Sequence, residues 1–234
     1  MTLDSLIVMR KELIELFGNK HSLRGAAIQA GVVILVMGVL VPVRHDAAWL
    51  TTATNAVSYI FFPAAIAAAV AADSFAGERE RKTLETLLAT PLSDESIFWG
   101  KTATAALFAV SIAFCSLLVG VVTVNVWTGP TELFFPGFGL FALVLAAALS
   151  AAFFSAALAV VISIYVPVAR SAQQIASMLS MFVAAIAITA LRTTDVSLNN
   201  EALLRVDILL LSLGAIALMA ALRVFRRDKI FEQQ

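Results

Sequence analysis

Residues whose types and spacing could do chemistry are few in this chain of 234, and most of them fall in one stretch, Asp73 to Lys101, reading DSFAGERERKTLETLLATPLSDESIFWGK. Gly100-Lys101-Thr102 has the closing residues of a phosphate-binding loop, G-x-x-x-x-G-K-[ST]. The first glycine of that pattern would fall at Glu95, whose carboxylate repels phosphate, and no buried strand precedes it. Lys82-Thr83 after Gly77 is a second near miss, with Arg81 where the second glycine belongs. His21 and His45 stand alone and are expected on opposite sides of a membrane, so they cannot share a metal. Neither an H-E-x-x-H nor a G-x-S-x-G motif occurs. Catalysis and metal or nucleotide binding by this chain are not expected: no catalytic, cofactor-binding or metal residue is assigned.

What remains is charge and shape. From Glu78 to Leu88 the spacing predicts a helix of about three turns, because Glu78 and Lys82 stand four apart, as do Arg81 and Glu85, while Leu84, Leu87 and Leu88 share a face. Gly77 is expected to loosen its start and Pro91 to close it. Ser93 has the position of an N-cap for the next helix, with Asp94 and Glu95 in the first turn. A charged, leucine-faced helix between two apolar runs suits a docking element. On spacing alone it equally suits a solvated loop helix.

The rest of the chain must position this stretch, and its composition defines how. The chain is 61% hydrophobic and only 14% charged, with mean hydropathy +0.94; soluble domains carry about 25% charged residues. Charge-free runs of 19, 26, 30, 37 and 21 residues lie between Arg24 and Arg44, Asp46 and Asp73, Lys101 and Glu132, Glu132 and Arg170, and Arg170 and Arg192. A membrane helix needs about 20 apolar residues. Together with Leu203–Leu222, this predicts an all-α integral membrane protein of six spans, at 25–43, 55–75, 97–126, 137–166, 172–191 and 203–222. The 37-residue run is read as one tilted helix after a break at Leu133–Gly137.

With six spans, 13 of the 16 Lys and Arg residues fall on one side, which makes both termini and the Glu78–Leu88 helix cytoplasmic. The zero net charge thus hides an asymmetry and implies no nucleic-acid partner. Residues 1–20 form an amphipathic interfacial helix in which Leu6, Met9, Leu13, Leu16 and Phe17 oppose Asp4, Lys11, Glu12 and Glu15. Trp49, Trp99 and Trp127 fall at span ends as interfacial anchors. Cys115 is expected to pack within the third span, and the alanine runs of the second and fourth spans to pack helices together. Three candidate pathway residues stand out: Gln173 and Gln174 at the start of the fifth span, and Asp207, one turn into the sixth and shallow enough to reach the interface.

FAGERERKTLETLLATPLS followed by Gly100-Lys101 resembles the signature of the ABC-2 transporter permease family, through Phe75, Glu78, Glu80, Thr83, Glu85, Leu87, Leu88 and Pro91. The closing Arg223–Phe231 segment and the six-span plan are also similar to small permeases of sodium-, drug- or antibiotic-efflux type. The resemblance implies a single ABC-2 type transmembrane domain over 1–234, with residues 77–91 as a coupling helix that contacts a separate ATPase through Phe75, Glu78, Glu80, Thr83, Leu84, Glu85, Leu87, Leu88 and Pro91. It also implies ABC ATPase subunits that bind ATP and magnesium, a second permease copy forming a homodimer or heterodimer, and residence in the lipid of a prokaryotic cytoplasmic membrane. A haem-exporter-like permease and a non-transporting membrane scaffold are the alternative readings. Unlike several relatives of this topology, the chain leaves only about a dozen residues, Arg192 to Ala202, for a hairpin between the fifth and sixth spans.

Overall fold

Side chains of opposite kinds line the inside and the outside of this molecule, and that inversion sets the architecture. The computed structural model describes residues 3–18, 20–45, 48–50, 53–83, 86, 89–127, 133–166, 168–192 and 200–224. All regular structure among them is helical. Helix α1 is Leu3–Gly18. Helix α2 runs through Lys20–Leu35, a π-helical turn Val36–Leu40 and Val41–His45. Helix α3 begins as Ala53–Ala72 and continues without a break through a π turn, Asp73–Gly77, to Glu78–Glu80. Then come α4, Asp94–Trp127; α5, Phe138–Tyr165; α6, Ala169–Arg192; and α7, Asn200–Val224.

Among the described residues, four stretches are long and apolar enough to cross a membrane: Ala27–His45, Tyr59–Glu80, Asp94–Trp127 and Phe138–Tyr165. Helices α6 and α7, of 24 and 25 residues, are each roughly 36 Å long at about 1.5 Å per residue, against a hydrocarbon core of about 30 Å.

Helix α5 is the centre, packed against α3, α4, α6 and α7; α3 also packs on α4 and α6, and α1 lies across α4. Its contacts are made by alanine. Ala67, Ala68, Ala71 and Ala72 of α3 and Ala147, Ala148, Ala151, Ala152, Ala156 and Ala157 of α5 are all buried within this one chain. Methyl side chains let helix backbones approach closely, which is how helices associate where lipid removes the hydrophobic drive between them. Many large apolar side chains point outward instead, among them Leu107, Phe114, Leu118 and Val122 on α4, and Ile175, Met178, Phe182 and Ile186 on α6. A soluble protein would bury these. Cys115 belongs to the exposed set rather than to the packed interior expected for it.

Sparse polar contacts fix the register. Tyr59 donates to Met37 O at 2.7 Å, and Thr123 Oγ1 donates to Gly38 O at 2.8 Å, both at the π turn of α2. Asn125 holds the segment before α5 by donating to Phe134 O at 2.9 Å and accepting from Phe134 N at 2.8 Å. Gly137, at φ 86, then turns the chain into α5, a conformation costly for any residue with a Cβ. The anchor expected at Trp49 is a correction. Its ring is wholly buried, 5.7 Å from Tyr59, over Gly120, where an added Cβ would come within 2.5 Å of the indole. The glycine notch, invisible in a composition argument, draws the ring out of the interface. Trp99 and Trp127 are exposed.

The packing predicts a test of position rather than hydrophobicity. Ala152→Leu, at the buried face of α5, should cost about 1–3 kcal/mol by overpacking, read as a lower unfolding midpoint in nanodiscs. Ala146→Leu, on the exposed face of the same helix, should leave the midpoint unchanged. Equal effects from the two would mean that α5 is not the packed centre.

Candidate functional site

One rim of the bundle gathers nearly all of the described charge. Helix α4 starts where Ser93 caps it: Ser96 N donates to Ser93 Oγ at 3.2 Å and Ile97 N to Ser93 O at 3.1 Å. Two turns on, Gly100 allows α1 to cross; a Cβ there would lie 2.6 Å from Val8 Cβ and 2.9 Å from Ser5 O. Lys101 follows, with a fully buried side chain. Its ammonium sits 2.8 Å from Glu12 Oε1, 3.0 Å from Ser74 O, 3.0 Å from Ser74 Oγ and 2.9 Å from Glu78 Oε2. An ammonium has three protons. Glu12 and the two serine oxygens take them, so Glu78 Oε2 is held by charge without an aligned hydrogen bond. Ser74 Oγ donates in turn to Glu12 Oε2 at 2.6 Å. Phe75, itself buried, packs on Phe98 at 5.9 Å and lies under the Lys101 ammonium, 5.3 Å from its ring centroid.

Lys11 closes the cluster from the outer side, 2.8 Å from Glu78 Oε1, 3.3 Å from Glu12 Oε1 and 3.2 Å from Glu15 Oε1. The carboxylates of Glu12, Glu15 and Glu78 approach within 4.8 Å of one another, the spacing of a metal site. The Lys11 ammonium already contacts all three, so a cation of the protein's own fills that position. Partial burial works against the Lys11 charge, but the hydrogen bond it donates to Glu78 and the charges of Glu12, Glu78 and Glu15 outweigh it and raise its pKa. Burial pushes the Glu12 carboxyl up; the Lys101 charge and hydrogen bond, helped by Ser74 and Lys11, overcome this and leave it below the ordinary value. A cavity of about 1090 Å³ opens beside the cluster, between α1 and the chain after α3, with Ile14, Glu15, Asp73, Arg81 and Thr83 on its wall.

The helix expected over Glu78–Leu88 does not begin at Glu78. Gly77 lies inside a continuous α3, which ends at Glu80. Lys82 N donates to Arg79 O at 3.0 Å and Thr83 N to Glu78 O at 2.9 Å, with Lys82 at φ 58. This is the left-handed helix stop in which two amides return to the last turn. Thr83 Oγ1 adds a bond to Glu78 O at 3.2 Å. The four-residue spacing of Glu78 and Lys82 is therefore not used; Glu78 turns inward to cations far away in sequence. Its two neighbours reach other helices. Arg79 Nη1 donates to Ile164 O at 2.9 Å and Ser163 O at 3.4 Å, at the negative end of α5. Glu80 Oε2 accepts from Ala169 N at 3.2 Å, at the positive end of α6. Each charge thus opposes a helix dipole.

Of the residues singled out in the sequence, Phe75, Glu78, Glu80 and Thr83 thus meet at this rim, and Pro91 lies exposed in the bend before α4. Leu84, Glu85, Leu87 and Leu88 lie outside the described residues. Gln173 is half-buried and Gln174 exposed in the second turn of α6. Asp207 is elsewhere, buried in the bundle and not at its surface; helix α5 covers it. Sequence reasoning missed Lys101 and Glu12 as partners. The available signal was Lys101 itself, a lone cation at the mouth of a 30-residue charge-free run, which requires a buried anion.

Alanine-packed helices, large apolar side chains exposed on the outside and charge gathered on one rim define a multi-pass membrane protein. The chain matches the family described as ABC-2 family transporter protein over residues 17–232, and it belongs to that family. Its members are the membrane component of ABC exporters; they associate in general with ABC ATPases and are not themselves the catalyst. No curated protein matches the chain.

Lys101→Met should leave Glu12 and Glu78 short of a cation, at a cost of about 3–5 kcal/mol for a buried pair broken from one side. The charge-balanced Lys101→Met/Glu78→Gln should recover part of it. The readout is protease access to α1, which the cluster pins to α4. Because the Glu12 pKa is depressed, its contribution is complete above pH 4.5 and disappears as pH falls through the lower folded value; the Lys11 contribution is complete below pH 10.5. Protection of α1 should accordingly be flat between these limits and fall in acid. An unchanged acid profile in Glu12→Gln would remove Glu12 from this account.

Proposed function

We propose that this chain is the six-span permease subunit of an ABC exporter in a prokaryotic cytoplasmic membrane, with both termini in the cytoplasm. A separate ATPase, which binds ATP and magnesium, docks on the coupling segment 77–91 through its outer part, Thr83–Pro91. A second permease copy, identical or related, completes the pathway across the bilayer. The observation that carries this reading is the triplet Glu78-Arg79-Glu80. Three consecutive side chains bind α1 with α4, the end of α5 and the start of α6. A force delivered to the segment just beyond Lys82 reaches four helices through them. A loop helix that merely fills solvent needs no such ties.

On this reading the two halves of the motif divide the work. Phe75 and Glu78 face inward and position the rim. Thr83 through Pro91 meet the ATPase, with Leu84, Leu87 and Leu88 as the apolar contact and Glu85 as the charged one. The cavity beside α1 lies against this segment.

Leu88→Asp should therefore lose the ATPase on purification, and Glu85→Ala should lower transport-coupled ATP hydrolysis at normal membrane levels. An unpaired charge at a buried contact costs about 2–5 kcal/mol. Full complex and full coupled activity in both variants would end the docking role. For orientation, in a Cys115→Ser background, a cysteine at Gln233 should react only from the cytoplasmic side and one at Thr131 only from the outside. Labelling of Gln233 from outside would make the number of spans odd.

A further inference from the structure

Asp207 lies far from the charged rim. It is 5% exposed, seven residues into α7 and beside Ser150, twelve residues into α5. At about 1.5 Å per residue these depths are roughly 10 and 18 Å from the helix starts. The residues around it are apolar: Val206 and Leu210 of α7, Ala147 and Ala151 of α5, Ile60 and Ala64 of α3, and Val183 of α6 belong to one cluster.

Counting protons decides what Asp207 is. Ser150 Oγ lies 3.0 Å from Ala147 O, in its own helix, and 3.3 Å from Asp207 Oδ1. A hydroxyl has one proton. Given to Ala147 O, the shorter contact, it leaves the approach of two oxygens at 3.3 Å without a donor unless Asp207 supplies the proton. Given to Asp207 instead, it still leaves Oδ2 with no hydrogen-bond partner among the described residues. A carboxylate in either arrangement would be an anion among methyl groups with at most one donor, which is costly in a membrane interior.

Among the described residues no countercharge repairs this. Helix α5 has no Asp, Glu, Lys, Arg or His along its length. The Ala53–Ala72 part of α3 contributes only Tyr59, whose hydroxyl is given to Met37 O, and Asp73 beyond it is exposed toward the other rim. On α6 the charges are Arg170 and Arg192, at its two ends. On α7 itself, Arg205 is exposed, two residues and so about 200° around the helix from Asp207. Arg223 lies at the far end, and the side chains of Glu201 and Arg192 are outside the described residues.

We infer that Asp207 is a proton-binding site of the bundle, a neutral carboxylic acid while α5 and α7 are packed together and a carboxylate when they part. On parting, the carboxyl O–H bond breaks, its electron pair stays on the oxygen, and the proton passes to a water that reaches the opened seam; closing reverses the step. The separation of α5 from α7 thereby becomes linked to pH, one proton per chain. This rests on the packing of two helices and not on the exporter reading, so either can fail alone.

The test is infrared spectroscopy of the full chain in nanodiscs at neutral pH, with carboxyl-labelled aspartate. The wild type should show the carbonyl stretch of a protonated acid that Asp207→Asn removes. Ser150→Ala should retain the band and shift it, because a hydrogen-bond partner is lost and the proton is not. Asp207→Asn should unfold within a few degrees of wild type, since an amide replaces a neutral acid without changing charge. A wild-type spectrum with carboxylate bands alone overturns the proposal. So does collapse of the fold in Asp207→Asn, which would mean that an anion was paired there.

Discussion

The ammonium of Lys101, buried between Glu12 and Glu78, is the constraint on which the rest of the rim depends. Three carboxylates and two lysines are brought together from three helices, the two buried carboxylates, Glu12 and Glu78, each touching both ammoniums. Buried ions are tolerable only when paired and hydrogen-bonded, and here the pairing dictates position. Glu12 can reach Lys101 only if α1 lies across α4, and α1 can lie there only because Gly100 has no Cβ. Glu78 can reach it only if α3 stays helical past the π turn. Once α3 ends at Glu80, Arg79 and Glu80 meet the adjoining ends of α5 and α6. One ion cluster therefore sets the crossing of α1, the length of α3 and the placement of the turn between α5 and α6.

The bundle body obeys the opposite rule. Its alanine interfaces are close but weakly directional, since one methyl group resembles the next and lipid offers no penalty for exposing leucine. Uniqueness has to come from a few polar bonds and shape notches: Tyr59 to Met37 O, Thr123 to Gly38 O, Asn125 to Phe134, and the Trp49 ring over Gly120. Such an interior can slide between packings at small cost. The rim cannot move without breaking ion pairs, and this division suits the proposed exporter, in which helices would shift while the rim carries force between them.

Much of this was legible in the sequence wherever one helix or one run carried the information. The all-helical class, the apolar runs, the Ser93 cap and the break before Phe138 each depend on a few neighbouring residues. The failures share a cause in contacts between distant residues. Glu78 has a lysine four residues on and two lysines 67 and 23 residues away; local spacing favours the first, and the structure uses the others. Trp49 at the end of a run looks like an anchor until Gly120 is seen beneath it. Glu12 on the polar side of an amphipathic helix looks solvated until Lys101 is opposite. Asp207 looks shallow when counted along α7 alone, whereas α5 sets its depth.

A helix advances by about 100° per residue, so three consecutive side chains leave it in three directions. At most positions in a bundle one of the three would face lipid. At the end of α3 each of the three finds a protein partner instead: α1 and α4 for Glu78, the end of α5 for Arg79 and the start of α6 for Glu80. The string Glu-Arg-Glu is then a small set of opposed charges matched to what each direction offers: a cation pair, a helix C-terminus and a helix N-terminus. The left-handed turn at Lys82 follows at once and ends the helix. The first charges of the motif thus fasten the helices to one another, and on the proposed function the leucines that follow the turn are the part left for the ATPase.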